Sequence, residues 1–255
     1  MPFSLQSFSL QGKVALITGG SRGIGKEIAL GYANAGADIA IVGRKMPDLE
    51  QAAQDIEKLG RRCIPIQAHV GRIEDIAGIV SRAEEEFHRI DILVNNAATN
   101  PTIDPALEYT ERAWDTVMNL NLKGLFFLSQ SVAKVMKEKG GGSIINISSV
   151  EGISPGILIG YGISKAAVIH ATKTLAKEWA RYNIRVNAIA PSLVRTRFSE
   201  RLWSTPELLQ VFLSRTPMGR IAEPEEIVGA AIYFASSASS YVTGQVLAID
   251  GGFTI

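Results

Sequence analysis

Seven short apolar runs, interleaved with longer stretches of helical periodicity, constrain this chain more than any other feature. They read KVALIT (13–18), ADIAIVG (37–43), RCIPIQA (62–68), DILVNN (91–96), SIINISS (143–149), IRVNAIA (184–190) and QVLAID (245–250). Most are apolar on consecutive positions, the pattern of parallel strands covered on both faces. Between them lie helical stretches such as KEIALGYANAG (26–36) and EEIVGAAIYFAS (225–236). In the second, Ile227, Ala230, Ala231 and Phe234 recur at helical spacing. Strand, helical crossover and strand, repeated, make an α/β doubly wound parallel sheet with helices on both faces. No repeat, low-complexity tract or Pro/Gly-rich linker interrupts the pattern, so residues 1–255 are expected to form a single domain. The exception to the alternation is 197–220, RFSERLWSTPELLQVFLSRTPMGR, which is helical in pattern where a short connection would suffice. Long insertions of this kind are often lids or binding loops, and its Phe198, Leu202, Trp203 and Phe212 could line an apolar pocket.

Composition removes several classes of partner. Lys plus Arg number 26 against 25 for Asp plus Glu, and no basic stripe or polybasic run suits nucleic acid or a membrane surface. No run of about 18 apolar residues suggests a membrane span. The opening MPFSLQSFSLQGK lacks the basic and continuous apolar regions of a signal peptide. With Cys63 the only cysteine, there is no disulfide framework, and a cytoplasmic location is the expectation. His88 and His170 show no metal-ligand spacing, so no metal is expected.

The stretch TGGSRGIG (18–25) follows the first strand directly and opens the first helix. Glycines at 19, 23 and 25 permit a tight turn and close approach of a ligand, and the free N–H groups of a helix start face an anion. The spacing GxxxGxG carries little weight alone; placed strand–turn–helix at the head of an α/β sheet, it points to a dinucleotide phosphate. Two other features end strands on the same sheet edge. In NNAA (95–98), Asn95 could reach a cofactor ribose or an adjacent strand; in APSLVRT (190–196), Pro191 and Thr196 could meet the other end of a dinucleotide.

TGGSRGIG, NNAA, NLKG, the pair Ser148–Ser149, YGISK (161–165) and the closing IDGG occur in an order that resembles the short-chain dehydrogenase/reductase family across residues 12–255. The resemblance implies a Rossmann-like seven-stranded sheet, a nicotinamide cofactor, hydride transfer on a carbonyl or secondary alcohol, and a homotetramer. It also implies a catalytic group, by position Asn121, Ser149, Tyr161 and Lys165. AHVG, NNAATNP and TRFSERLW resemble the NADP-dependent carbonyl/retinal reductase branch. Sugar or polyol dehydrogenases and 3-oxoacyl-carrier-protein reductases share the same catalytic group. A non-catalytic dinucleotide sensor would be expected to have lost Tyr161 or Lys165, and both are present.

Hydride transfer to or from a carbinol carbon requires a proton to move at its oxygen. A free phenol, with a pKa of roughly 10, needs help to act as a base near neutrality. A Lys165 ammonium one helical turn away from Tyr161 is expected to favour the phenolate. By the family's pattern Lys165 also bonds the nicotinamide ribose, Ser149 holds the substrate oxygen, and Asn121 anchors a water leading from Lys165 to solvent. The serine register is ambiguous. Ser149 begins the SxxG pattern ending at Gly152, whereas the family's usual separation from the tyrosine lands on Ser148. Neighbouring residues of an extended chain point to opposite faces, so one of them serves, and Ser149 is chosen.

The second strand ends IAIVGRK, with Gly43 where an NAD-binding acid would sit, Arg44 next, then Lys45. With Arg22 in the Gly-rich turn, these cations suit the extra phosphate of NADP(H), making NAD(H) the lesser candidate. His69 stands where many relatives carry an aspartate beside the adenine. The candidate cofactor-binding residues are thus Gly19, Ser21, Arg22, Gly23, Ile24 and Gly25 in the turn, Arg44 and Lys45, then His69 and Val70. Asn95 and Ala97, Tyr161 and Lys165, and Pro191, Val194 and Thr196 complete the set. In 121–136, Leu122, Leu125, Phe126, Phe127, Leu128, Val132 and Val135 cover more than one helical face, an independent motive for self-association.

Overall fold

Alternate residues of each inner strand enter two different cores. The computed structural model describes residues 4–255. Its strands are β1 (Val14–Thr18), β2 (Asp38–Gly43), β3 (Cys63–Gln67), β4 (Ile92–Asn95), β5 (Gly142–Ile147), β6 (Ile184–Pro191) and β7 (Val246–Ile249). They form one seven-stranded sheet in the order β3-β2-β1-β4-β5-β6-β7. Every pairing is parallel. Val14, Leu16, Ala40, Val42 and Leu93 face the helices α3 (Ile73–Phe87) and α5 (Leu125–Glu138). Ala15, Ile17, Ile39, Ile41 and Val94 face α1 (Gly23–Asn34), α2 (Met46–Glu57) and α9 (Val228–Ala235). Consecutive apolar positions are therefore what burial on both faces demands, since the strand period is two.

The remaining helices are α4 (Glu111–Met118), α6 (Ile159–Trp179), α7 (Glu200–Ser204) and α8 (Pro206–Leu213). A π-helical turn, Asn119–Gly124, joins α4 to α5. The chain leaves β1 for β2 on one side and later returns to β4 on the other. That reversal opens a crevice beyond the carboxyl ends of β1 and β4, where sheets of this kind take ligands.

The 197–220 excursion is helical, as its pattern predicts, and carries a core of its own. Phe212 of α8 is buried with Val150, Leu193, Ile221 and Phe253, and Leu202, Trp203, Leu209 and Leu213 pack against them. The apolar residues of 121–136 are mostly covered within the chain: Leu125, Leu128, Val132 and Val135 are buried, leaving Leu122 of the π-helical turn and Phe126 and Phe127 of α5 half-buried. The sequence motive for self-association thus shrinks to those three side chains, because the sheet and the neighbouring helix α3 cover the rest.

Candidate active site

The carboxyl ends of β1 and β4 are locked together before any ligand need be considered. Thr18 Oγ1 accepts hydrogen bonds from the N–H groups of Asn96 (2.9 Å) and Ala97 (3.0 Å). Asn96 Nδ2 donates to the carbonyls of Thr18 (2.9 Å) and Gly19 (3.2 Å), tying the Gly-rich turn to the end of β4. Gly19 has φ +64°, the left-handed region that glycine tolerates. A Cβ on Gly25 would lie 2.3 Å from the Gly19 carbonyl oxygen, so that glycine lets the helix start close onto the turn. The α1 N-terminus has no side-chain cap, leaving its first N–H groups directed at the cleft mouth.

The resulting cleft has a volume of about 350 Å³, within the range of small-molecule sites. Gly19, Ser21, Arg22, Gly23 and Ile24 line it at the turn, Arg44 and Lys45 beyond β2, and His69 and Val70 beyond β3. Ala97, Ser148, Ser149, Tyr161, Lys165, Pro191, Val194 and Thr196 line it too. Arg22, Arg44 and Lys45 have no ion-pair partner among the described residues. His69 is held by Asp75 and Gly71, its backbone N–H donating to Asp75 Oδ2 (2.7 Å) while its ring Nδ1 accepts from Gly71 N (3.1 Å).

Three residues of the expected set lie off the cleft. Asn95 is buried inside the sheet, where Nδ2 donates to Ser129 Oγ and Asn146 Oδ1, both at 2.9 Å. It takes the second of its two open alternatives, the adjacent strand, and its neighbour Asn96 lines the cleft instead. Gly25 meets the protein's own turn rather than the cleft. Asn121 sits in the π-helical turn, where Nδ2 donates to the Thr99 carbonyl (3.0 Å) and Ser164 Oγ (3.1 Å), and Oδ1 accepts from Thr99 N (2.8 Å).

Tyr161 and Lys165 begin the long helix α6, with their side chains in the cleft wall and only 8% and 2% of their surfaces exposed. Lys165 Nζ donates to the Ile147 carbonyl at 2.6 Å and lies 5.5 Å from the Tyr161 ring centre. Burial brings the Lys165 pKa down to about 7. Burial also drives the Tyr161 phenol above its ordinary value, with Glu151 adding to the rise and a hydrogen bond with Ser149 opposing it. In this geometry burial, rather than the lysine charge, sets the direction of the Tyr161 shift. Tyr161 stands protonated across neutral pH, as a proton donor must.

The two serines differ in what their hydroxyls already do. Ser148 Oγ donates to the Lys165 carbonyl (3.0 Å), whereas Ser149 Oγ accepts from Glu151 N (3.2 Å) and meets the Tyr161 hydroxyl. Sequence reasoning missed Asn96, masked by the choice of its twin Asn95. It also missed Glu151, a carboxyl 8% exposed in the cleft wall, which nothing in a lone acid between apolar residues signalled.

The family model described as enoyl-(acyl carrier protein) reductase matches residues 19–254. The chain belongs to the short-chain dehydrogenase/reductase family. Among its relatives in that family, the 2-dehydro-3-deoxy-D-gluconate 5-dehydrogenase of Dickeya dadantii is 43% identical over 251 residues, covering 98% of each chain. The 3-oxoacyl-[acyl-carrier-protein] reductase of Thermotoga maritima is 43% identical over 250 residues, covering 96% of this chain and 99% of that one. The crystal structure of a gluconate 5-dehydrogenase from Burkholderia cenocepacia, in complex with NADP and tartrate, superimposes with a TM-score of 0.94 at 36% identity, covering 99% of both chains. The seven-stranded Rossmann-like sheet is the one this dehydrogenase/reductase shares with such structures. It is an oxidoreductase that moves a hydride between a nicotinamide cofactor and a carbonyl or secondary alcohol. Its substrate is a small molecule, and no helix among the described residues is long and apolar enough to cross a membrane.

Proposed function

We propose that this protein is an NADP(H)-dependent cytoplasmic reductase of carbonyl compounds, working as one catalytic unit over 1–255 with 197–220 as its substrate loop. The observation that carries the reading is the convergence of Tyr161, Ser149 and Lys165 on one wall of a cleft whose far end presents unpaired Arg22, Arg44 and Lys45. Those three cations suit a phosphate on the adenosine ribose through charge-assisted bonds. Gly43, at the end of β2, leaves no carboxylate there to repel it. Asp48 is the one acid lining that end, and it lies in the first turn of α2, where helix N–H groups and dipole offset its charge. NADP bound in the Burkholderia structure agrees.

When bound, the nicotinamide supplies or accepts the hydride; this chain's residues manage the oxygen and its proton. Ser149, whose O–H is not spent on backbone, orients the carbonyl oxygen, and Tyr161 gives its phenolic proton to that oxygen as hydride arrives. Lys165, pinned by Ile147 and titrating near neutrality, refills the phenolate with a proton. Asn121, whose Nδ2 donates to Ser164 Oγ next to Lys165, positions this end of α6 rather than touching the substrate. Ser192 and Ala98, which also line the cleft, shape the nicotinamide end.

Tyr161→Phe tests the reading, because it removes the proton donor and little volume. Turnover of aldehydes, diketones, keto sugars and acyl thioesters with NADPH is expected to fall by about a hundredfold or more, with cofactor affinity by fluorescence titration changing less than about threefold. Retention of more than about a tenth of wild-type turnover would remove Tyr161 from the acid–base role.

A further inference from the structure

The wall beyond Tyr161 is largely apolar, and Glu151 is the one acid on it. Val150, Leu158, Leu193, Phe198, Leu202 and Phe212 line this end, and the Phe198 ring lies 5.8 Å from that of Tyr161. Among them stands the Glu151 side chain. Its carboxylate accepts one long hydrogen bond, from Leu158 N at 3.4 Å, and has no ion-pair partner among the described residues. Burial pushes its pKa up, and Arg215, whose guanidinium lies 4.2 Å over the Phe253 ring, only moderates the rise.

The surrounding backbone leaves room for this carboxyl. A Cβ on Gly156 would lie 2.2 Å from Glu151 Oε1, and one on Gly162 would lie 3.0 Å from the Glu151 carbonyl and 3.6 Å from Oε2. The two glycines therefore admit a carboxyl where an apolar side chain would be easier to bury. A carboxyl set among apolar residues and bonded by a single backbone N–H can accept a further hydrogen-bond donor and resists a second negative charge. The cations of the cleft do not answer it: Lys165 is bonded to Ile147, Arg22, Arg44 and Lys45 lie at the turn and beyond β2, and Arg197 is exposed on the rim.

We propose that Glu151 selects the substrate class: an uncharged, largely apolar carbonyl compound carrying a hydroxyl or amide donor that reaches this carboxyl, with carboxylate-bearing compounds turned away. This rests on the placing of the reacting oxygen beside Ser149 and Tyr161. It separates the chain from its relative named for 2-dehydro-3-deoxy-D-gluconate, whose compound carries an acid group.

The test is a binding ratio and needs no turnover. Cyclohexanecarboxamide and cyclohexanecarboxylate, matched in shape, are titrated into the enzyme with bound NADPH and followed by nucleotide fluorescence. The wild type is expected to bind the amide at least about tenfold more tightly, and Glu151→Gln to shrink that ratio to within about threefold, since like-charge repulsion of this size is ordinary in a partly buried site. Equal or tighter binding of the carboxylate by wild type overturns the proposal. So does a ratio unmoved by Glu151→Gln in a variant that melts as wild type does, or the absence of measurable amide binding. Failure of the acid–base reading shows instead in the Tyr161→Phe turnover, which this ratio does not involve.

Discussion

Cofactor choice is decided at the end of β2, where one residue can be made to oppose another. Gly43 is paired with Gln67 of β3, and its φ lies outside the left-handed region, so an L side chain is sterically admissible. A Cβ there would lie 3.2 Å from Leu49 Cδ2, the far end of a flexible side chain that can give by a few tenths of an ångström. Gly43→Asp therefore places a carboxylate beside the ribose site at small cost to the fold. It should accept hydrogen bonds from a free ribose diol and repel a phosphate. At a separation of about 5 Å and an effective dielectric between 20 and 80, the repulsion is about 1–3 kcal/mol per unit charge, so NADPH should lose about ten- to a hundredfold. Arg44→Ala removes the complementary attraction. Arg44 is exposed, its carbonyl held by Gln67 Nε2 at 3.0 Å, so solvent screening holds the loss to about tenfold for NADPH, with NADH nearly unaffected. The assay is kcat/KM for NADPH over NADH on the three proteins with one carbonyl substrate. A wild type that prefers NADH, or an Arg44→Ala that weakens both cofactors equally, refutes the reasoning.

Lys165→Met should abolish turnover yet leave the cofactor-free protein at least as stable near pH 7. A lysine whose pKa falls from 10.5 unfolded to about 7 folded binds fewer protons in the native state, so its burial opposes folding most below pH 7 and progressively less as pH rises toward 10.5. The melting advantage of Lys165→Met should therefore shrink with rising pH, and thermal melts across that window check it. Ser149→Ala should cost turnover about a hundredfold or more, while Ser148→Ala, which loses one hydrogen bond to the Lys165 carbonyl, should chiefly lower the melting temperature; initial rates and melts on the pair distinguish them. Light scattering at micromolar concentration should give a homotetramer, covering Leu122, Phe126 and Phe127 and the exposed Ile163 of α6; a monomer would defeat that expectation.

The chain's own pattern determined the parallel sheet and the turn that heads it. Consecutive apolar residues in the inner runs settle with both faces covered, and glycines after the first run leave the backbone free to bend before the helix. The register YxxxK likewise put Tyr161 and Lys165 on one turn of α6, since helical period is a local property. What one-dimensional order could not decide was which of two neighbours faces the cleft. Asn95 and Asn96 look alike in sequence, yet the first pairs with Asn146 inside the sheet and the second clamps the Gly-rich turn. Ser148 and Ser149 separate only when α6 packs on the end of β5 and takes the hydroxyl of the first. The electrostatics came from tertiary structure alone. A lysine and a tyrosine four residues apart predict attraction in water, but burial removes solvent from both, so Lys165 is held near neutral titration and Tyr161 stays protonated. Glu151 shows the same limit most plainly: nothing in its neighbours' identities says that the Leu158 N–H and the space left by Gly156 meet at one carboxyl in the cleft wall.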